Sequence, residues 1–455
     1  MDKIIDVIEG VPDYKEFMTV EELDESTFKL VEKYPDIVKV FKVGSTREGK
    51  PLHALKIGEG RKKALLFGCP HPNEPIGTLM LEYLTWKLAS DDEFRETFNY
   101  TWYIVKAVDK DGLKLNEGWL KGPFTPLNYA KNFYRPAGNK QVEWTFPIEY
   151  KTLKFNEPMP ETKALMKIIE EAKPDFIYSL HNASFGGVYY YISEKVPLLH
   201  PIYYMFPEKL GIPLSLGEPE VPWAKEIARA IYLMVSTPEY YDYLEKYADR
   251  DPAEIIKTGT DSYDYARRFN PKVLELVTEV PYYYDPRIED TRVSDVYRRR
   301  AVLDRIESDV EFYKLIKGWY DRVKKHLKLK TMFREAIEYY LEVFPGAIEA
   351  ERKWANTASE LERKATIAEV FDNYEVTEFY RLTRLGLLYR MLKAEVEHGN
   401  DSIIGEVMVD VENVLEERSR ELEKRLNYKV IPIKDLVTIQ LAAGLYTALY
   451  VQVKS

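Results

Sequence analysis

ALLFGCPHPNEPIGT, residues 64–78, is the stretch that decides how this chain reads. The apolar run Ala64 to Cys69 has strand character, and a proline-rich loop then carries His71 and Glu74 three residues apart. Pro75 to about Ser90 follows with helical character. The reading is strand, loop, helix, with two metal-ligand side chains at the carboxyl end of a strand, where open α/β sheets place their chemistry. Imidazole and carboxylate together suit zinc, and a catalytic zinc takes three protein ligands and keeps one position open. A third ligand must come from elsewhere in the chain.

Working outward, Val38–Val43, His53–Ile57 and Tyr100–Val108 read as further strands, the last ending in the turn Asp109-Lys-Asp-Gly112. Residues 113–160 are rich in Pro, Asn, Gly and aromatics and read as a long irregular insertion. Pro160 to Ala172 is a helix with proline at its start. Asp175 to Leu180 is a strand, and His181 stands where it ends, ahead of the small-residue loop Asn182-Ala-Ser-Phe-Gly-Gly187. His181 is the third ligand candidate. Of the six histidines, His53, His200, His326 and His398 read as packing, structural or solvated residues. Cys69 is expected to point into the core, as free cysteines do. The strand Val273 to Val280 ends at Glu279, the candidate general base for a metal-activated water. Glu275 lies deeper on the same face and needs a partner if buried.

The net charge of −10 opposes a nucleic-acid partner. One cysteine excludes internal disulfides and a thiolate cage, as expected of a reducing cytosol. The N-terminus carries no signal-peptide pattern, and no clean run of about 20 apolar residues reads as a membrane span. Leu436–Val453 comes closest and reads as a buried helix, interrupted by Thr438, Gln440, Thr447 and Gln452. From about residue 290 glycine and proline become rare. Helical periodicity runs over 292–328, 331–343, 346–371, 374–397, 402–426 and 434–452. The expected division is therefore 1–300, an α/β unit with a mixed, mostly parallel sheet and helices on both faces, and 301–455, a separate helical unit. The second unit is expected to add nothing to the site and to bury its last helix among its neighbours or against a second copy of the chain.

Taken together, residues 15–285 resemble the zinc carboxypeptidase family. Tyr34-Pro-Asp-Ile-Val-Lys-Val and Val43-Gly-Ser-Thr-Arg-Glu-Gly-Lys-Pro-Leu match its lead-in, and Gly68 to Gly77 its first zinc motif. Val108-Asp-Lys-Asp-Gly112 stands where the family has Asn-Pro-Asp-Gly. His181 matches the third ligand. Ile256 to Tyr265 resembles the specificity-pocket segment, and Thr278-Glu279-Val-Pro the strand of the catalytic glutamate. The resemblance implies one zinc per chain on His71, Glu74 and His181, with Glu279 as base. It implies a substrate carboxylate held by Arg135 and Asn132, the nearest match to the family's adjacent Asn-Arg, and side-chain preference set by Tyr263. Lys121 is the nearest residue to the family's carbonyl-polarising arginine, and Ile255 and Ile256 stand where its capping tyrosine would be. The implied activity is release of a C-terminal amino acid from a peptide. An acylamino-acid deacylase on the same scaffold and a non-catalytic binding protein are the alternatives.

Overall fold

The computed structural model describes residues 2–399 and 401–454. Its frame is a nine-stranded mixed sheet built from β1 (Val38–Ser45), β2 (Pro51–Ile57), β3 (Lys62–Gly68), β4 (Tyr100–Val105), β5 (Phe176–Leu180), β6 (Tyr189–Ile192), β7 (Glu226–Ala228), β8 (Ile231–Leu233) and β9 (Leu274–Glu279). The order across the sheet is β1-β2-β4-β3-β5-β9-β6-β8-β7. Parallel pairing joins β4, β3, β5 and β9 at the centre and β6 to β8. The remaining neighbours are antiparallel, so parallel pairs make up half of the sheet rather than most of it.

The central strands are buried on both faces, as parallel strands with helices above and below must be. Their side chains alternate between two cores. Ala64, Leu66, Tyr178 and Leu276 enter one, which also holds Leu79 and Met80 of α1 (Ile76–Ser90). Leu65, Phe67, Val105 and Ile177 enter the other, beneath Ala164, Leu165 and Ile168 of the helix Pro160–Ala172. Gly77 lets α1 lie close on β5, since a Cβ there would come within 2.5 Å of the Leu180 side chain.

The insertion at 113–160 is more ordered than its composition implies. Leu113, Asn116, Trp119 and Leu120 fall at helical spacing and bury one face of a helix, Lys110–Leu120, which Asp109 caps through the Gly112 amide. A second helix, Pro126–Asn132 (α2), follows.

The C-terminal part is helical, with differences at its borders. Val293–Tyr297 is a strand, and the first helix starts at Arg298. Pro345 does not split its segment; one helix, Met332–Thr357 (α3), runs through it. Nor is this part packed as a separate unit. The core that holds Leu79 and Tyr178 runs on from Ile4 to Val451 and so takes in residues of both parts. The last helix, α5 (Ile433–Val453), is long and apolar enough to span a membrane by length and composition, yet most of it is buried inside the protein. It lies against α1 and the sheet, with Gly444 over the Tyr178 ring and the Tyr178 hydroxyl donating to the Gln440 carbonyl at 2.8 Å. Helix α4 (Thr377–His398) crosses α2 at Gly386, where any side chain would strike the Ala130 carbonyl. Sequence periodicity marks a change in secondary structure near 300, but the apolar faces on either side had only each other to cover.

Candidate active site

Three adjacent central strands deliver the site. In register, Gly68 of β3 pairs with Leu180 of β5, and Leu180 with Thr278 of β9. The residues just beyond these three therefore emerge side by side at one sheet edge: the His71 loop, His181 and Glu279. At Cys69 the chain turns sharply, with φ 55° in a region side-chain-bearing residues seldom occupy, and aims His71 back over the strand ends. Cys69 itself is buried in the core, as expected. The Glu74 amide bonds the His71 carbonyl at 3.0 Å, closing the turn that puts both side chains on one side.

His71, Glu74 and His181 converge. His71 Nδ1, His181 Nδ1 and Glu74 Oε2 stand 3.1 Å apart in every pairing. Ligands arranged tetrahedrally at roughly 2.0–2.1 Å from zinc stand about 3.3 Å apart, so the triangle fits that ion with little adjustment. The protonation also fits. Burial, with Arg135 adding to it, pushes His71 down to about 3 and keeps it neutral. Burial alone would raise Glu74, but the Arg135 charge and the hydrogen bonds from His71 and His181 outweigh it and hold the carboxyl well below its usual range. Two imidazoles and one carboxylate are the donor set of an open catalytic zinc site. Among the described residues His71 Nε2 has no partner of its own.

A carboxylate relay orients His181 from behind. Its Nε2 lies 2.8 Å from Ser179 Oγ, which donates to Glu143 Oε2 at 3.3 Å. The other Glu143 oxygen and Glu275 Oε1 both contact Ser262 Oγ, at 2.6 and 2.7 Å. A hydroxyl has one proton, so one carboxyl must supply the second. Burial, with Glu143 and Asp261 beside it, pushes Glu275 well above the usual range, which makes it the protonated partner. Such support fixes the ring orientation of a ligand. From the other half of the chain, Gln440 of α5 donates to the His181 carbonyl at 2.7 Å.

Glu279 stands beside this triangle, its Oε1 4.0 Å from His181 Nδ1. Burial, reinforced by Glu74 and Glu220 and opposed by Arg135, raises its carboxyl well above the ordinary value. That direction suits a proton carrier working near neutral pH.

The site opens into a cavity of about 1400 Å³. Arg135 lines it, but two of its donors are already taken. Nη1 donates to Glu74 Oε1 at 2.9 Å, which leaves Oε2 aimed at the histidines, and Nε donates to Gln141 Oε1 at 3.2 Å. The structure does not bring Asn132 to the site. Its amide turns back onto Asn128, because helix α2 carries it away from the cavity wall. Tyr263 also misses the cavity, since its ring packs against the core under the helix Pro160–Ala172 with Arg267 above it. Its neighbour Asp261 faces the cavity instead. Lys121 is a surface residue paired with Glu16 and Glu22.

Sequence reasoning missed the part of the wall that comes from beyond residue 330. Tyr339 and Tyr340 of α3, Asp372, and Tyr380 and Arg384 of α4 all line the cavity. Tyr380 is 42 % exposed, yet its hydroxyl accepts a hydrogen bond from the Ser184 amide, three residues from His181. A signal was present. Helix α4 buries Phe379, Leu382, Leu385, Leu387 and Leu388 around most of its circumference, so the polar groups among them had to be matched inside the protein.

Human mast cell carboxypeptidase A is 28% identical over 145 residues, 29% of this chain and 34% of that protein. Carboxypeptidase B of Helicoverpa zea is 27% identical over 203 residues, 39% of this chain and 46% of that protein. The chain thus spans less than half the length of these curated relatives. Among solved structures, carboxypeptidase A from Helicoverpa armigera aligns with a TM-score of 0.39 at 16% identity, covering 75% of this chain and 74% of that one. The sequence profile of the zinc carboxypeptidases matches residues 24–268, more than half of the chain. On that match, the chain belongs to the zinc carboxypeptidase family.

Proposed function

We propose that this protein is a metallocarboxypeptidase that removes the C-terminal amino acid of a peptide, using one zinc ion per chain. The observation that carries the reading is the triangle of ligating atoms, 3.1 Å on each edge, with the Glu279 carboxyl 4.0 Å away on the wall of the same cavity. His71, Glu74 and His181 would hold the ion. When bound, zinc supplies a Lewis acid that polarises the scissile carbonyl and acidifies water. Glu279 takes the proton of the attacking water and delivers it to the departing amine nitrogen as the C–N bond breaks. Arg135 keeps Glu74 ionised and turned toward the histidines. The Glu143 relay holds His181 in one orientation. His71, Glu74, His181 and Glu279 are all buried, so these charges act in a medium of lower dielectric than water.

The test separates the ion from the base. Zinc-loaded Glu279→Gln should retain its metal by elemental analysis, while turnover of a peptide panel falls on the order of 10²–10⁴-fold, the usual cost of losing a general base. Wild-type rates in that variant would remove Glu279 from the mechanism.

A further inference from the structure

Arg384 is a guanidinium without an acid. The other arginines around helix α4 are matched: Arg381 pairs with Asp309 at 2.8 Å and Glu378 at 3.0 Å, and Arg390 donates to the carbonyls of Asn132 and Phe133. Among the described residues Arg384 makes no ion pair and no hydrogen bond. Its guanidinium carbon lies over the Tyr340 ring, 4.4 Å from the ring centre. Burial, with the repulsion of Arg135 adding to it, lowers the proton affinity of Arg384. A charge withdrawn from water without a counter-ion is expensive. Here the charge faces a cavity and can be answered from it.

Tyr380 is in the same condition one turn earlier on the same helix face. Its oxygen accepts from the Ser184 amide at 3.3 Å, and its own proton has no acceptor among the described residues. Both groups line the cavity that holds His71, Glu74, His181 and Glu279. Two idle donors, one charged, on the wall of a site with room for a peptide end, match the needs of a carboxylate. Asn132 is turned away and Arg135 is bonded to Glu74, so neither residue chosen from the sequence is free for that task alone.

We propose that Arg384, with Tyr380 beside it, binds a carboxylate of the substrate, so that the C-terminal helices complete the substrate site. The inference rests on the metallocarboxypeptidase reading only for the identity of that substrate. The carboxylate is either the free α-carboxyl of the terminal residue or the side chain of an acidic one.

Titration calorimetry on the zinc-loaded full chain tests it without turnover. The probes are a panel of N-acetyl amino acids, their α-amides, and N-acetylglutamate α-amide. The wild type should prefer the acids over the amides by roughly 10- to 100-fold, the range expected for a charge-assisted hydrogen bond. Arg384→Gln should erase that preference while binding the amides as the wild type does. Arg384→Lys should restore part of it, and Tyr380→Phe should weaken it by a smaller factor. Preference for every acid over its amide assigns the α-carboxyl. Tight binding of N-acetylglutamate α-amide in its place assigns an acidic side chain. Melting curves verify that each variant is folded. The proposal is overturned by Arg384→Gln that keeps the wild-type preference, or by a wild type that prefers neither the acids over their α-amides nor N-acetylglutamate α-amide over the other amides. Preserved preference in a protein that cleaves no peptide would sink the peptidase reading and leave this one standing.

Discussion

The two walls of the cavity arise in different ways. The metal wall is written in short local patterns: a strand end, two prolines, a histidine and a glutamate three apart, and a second strand end with a histidine. The facing wall, from α3 and α4, has no such pattern. Its working groups are a tyrosine and an arginine on a helix that looks like many others, and they gain meaning only from what surrounds them. Chemistry that must hold an ion to within a fraction of an ångström sits on rigid strand ends, while recognition of a larger and softer group is delegated to a helix docked across the opening. The difference can be broken from either side.

The largest effect is expected on the metal wall. His181→Ala removes one of three ligands and leaves Glu74 and His71 without the third side of their triangle. Purified variant protein should contain almost no zinc by elemental analysis while the wild type holds one ion per chain. A variant that keeps a full equivalent would mean that the triangle does not hold the ion.

Next comes the seam between the walls. Gly386 lets α4 lie on α2, and a methyl there meets the Ala130 carbonyl of a well-packed backbone. Gly386→Ala should cost about 2–3 kcal/mol in denaturant unfolding, the upper range for overpacking. It should also displace Arg384, two residues away, and loosen carboxylate binding more than zinc binding. A loss confined to stability, with carboxylate affinity untouched, would uncouple the helix position from recognition.

The smallest effect is a pH dependence on the facing wall. Burial and the neighbouring Glu218 raise the Asp372 carboxyl to about 7. An aspartate of the unfolded chain titrates near about 3.9. A carboxyl that binds its proton more tightly when folded contributes its full stability below about pH 4. It loses that contribution as the pH rises toward and through about 7. Asp372→Asn keeps an acceptor for the Glu218 amide and removes the titration. Its melting temperature should therefore fall less than that of the wild type between about pH 4 and 8. Parallel curves would show that Asp372 is ionised throughout.

The same contrast explains what could be read from the sequence. His71, Glu74, His181 and Glu279 were legible because each stands where an apolar strand stops, and strand ends at one sheet edge are brought together by register. Arg135 reached the cavity, but its bond to Glu74 depends on how residues 133–141 fold over the loop, which spacing does not encode. Asn132 and Tyr263 lie off the cavity wall because one residue of helix phase decides whether a side chain faces the cavity or turns from it. The helices after 300 were recognised as helices, but their partners were not. Periodicity tells which face is apolar and is silent about which surface covers it, so α5 on the central sheet and Gln440 beneath His181 had no signature in the chain.

The central claim is that both walls serve one reaction, removal of a single residue from a carboxyl terminus. The direct measurement is mass spectrometry of a mixture of unblocked peptides and their C-terminal amides, incubated with zinc-loaded wild-type protein. The account predicts that the free-acid peptides lose one C-terminal residue at a time, that their amides stay intact, and that Glu279→Gln leaves both unchanged. Internal cleavage, removal of N-terminal residues or acyl groups, or no change of mass in any peptide would contradict it.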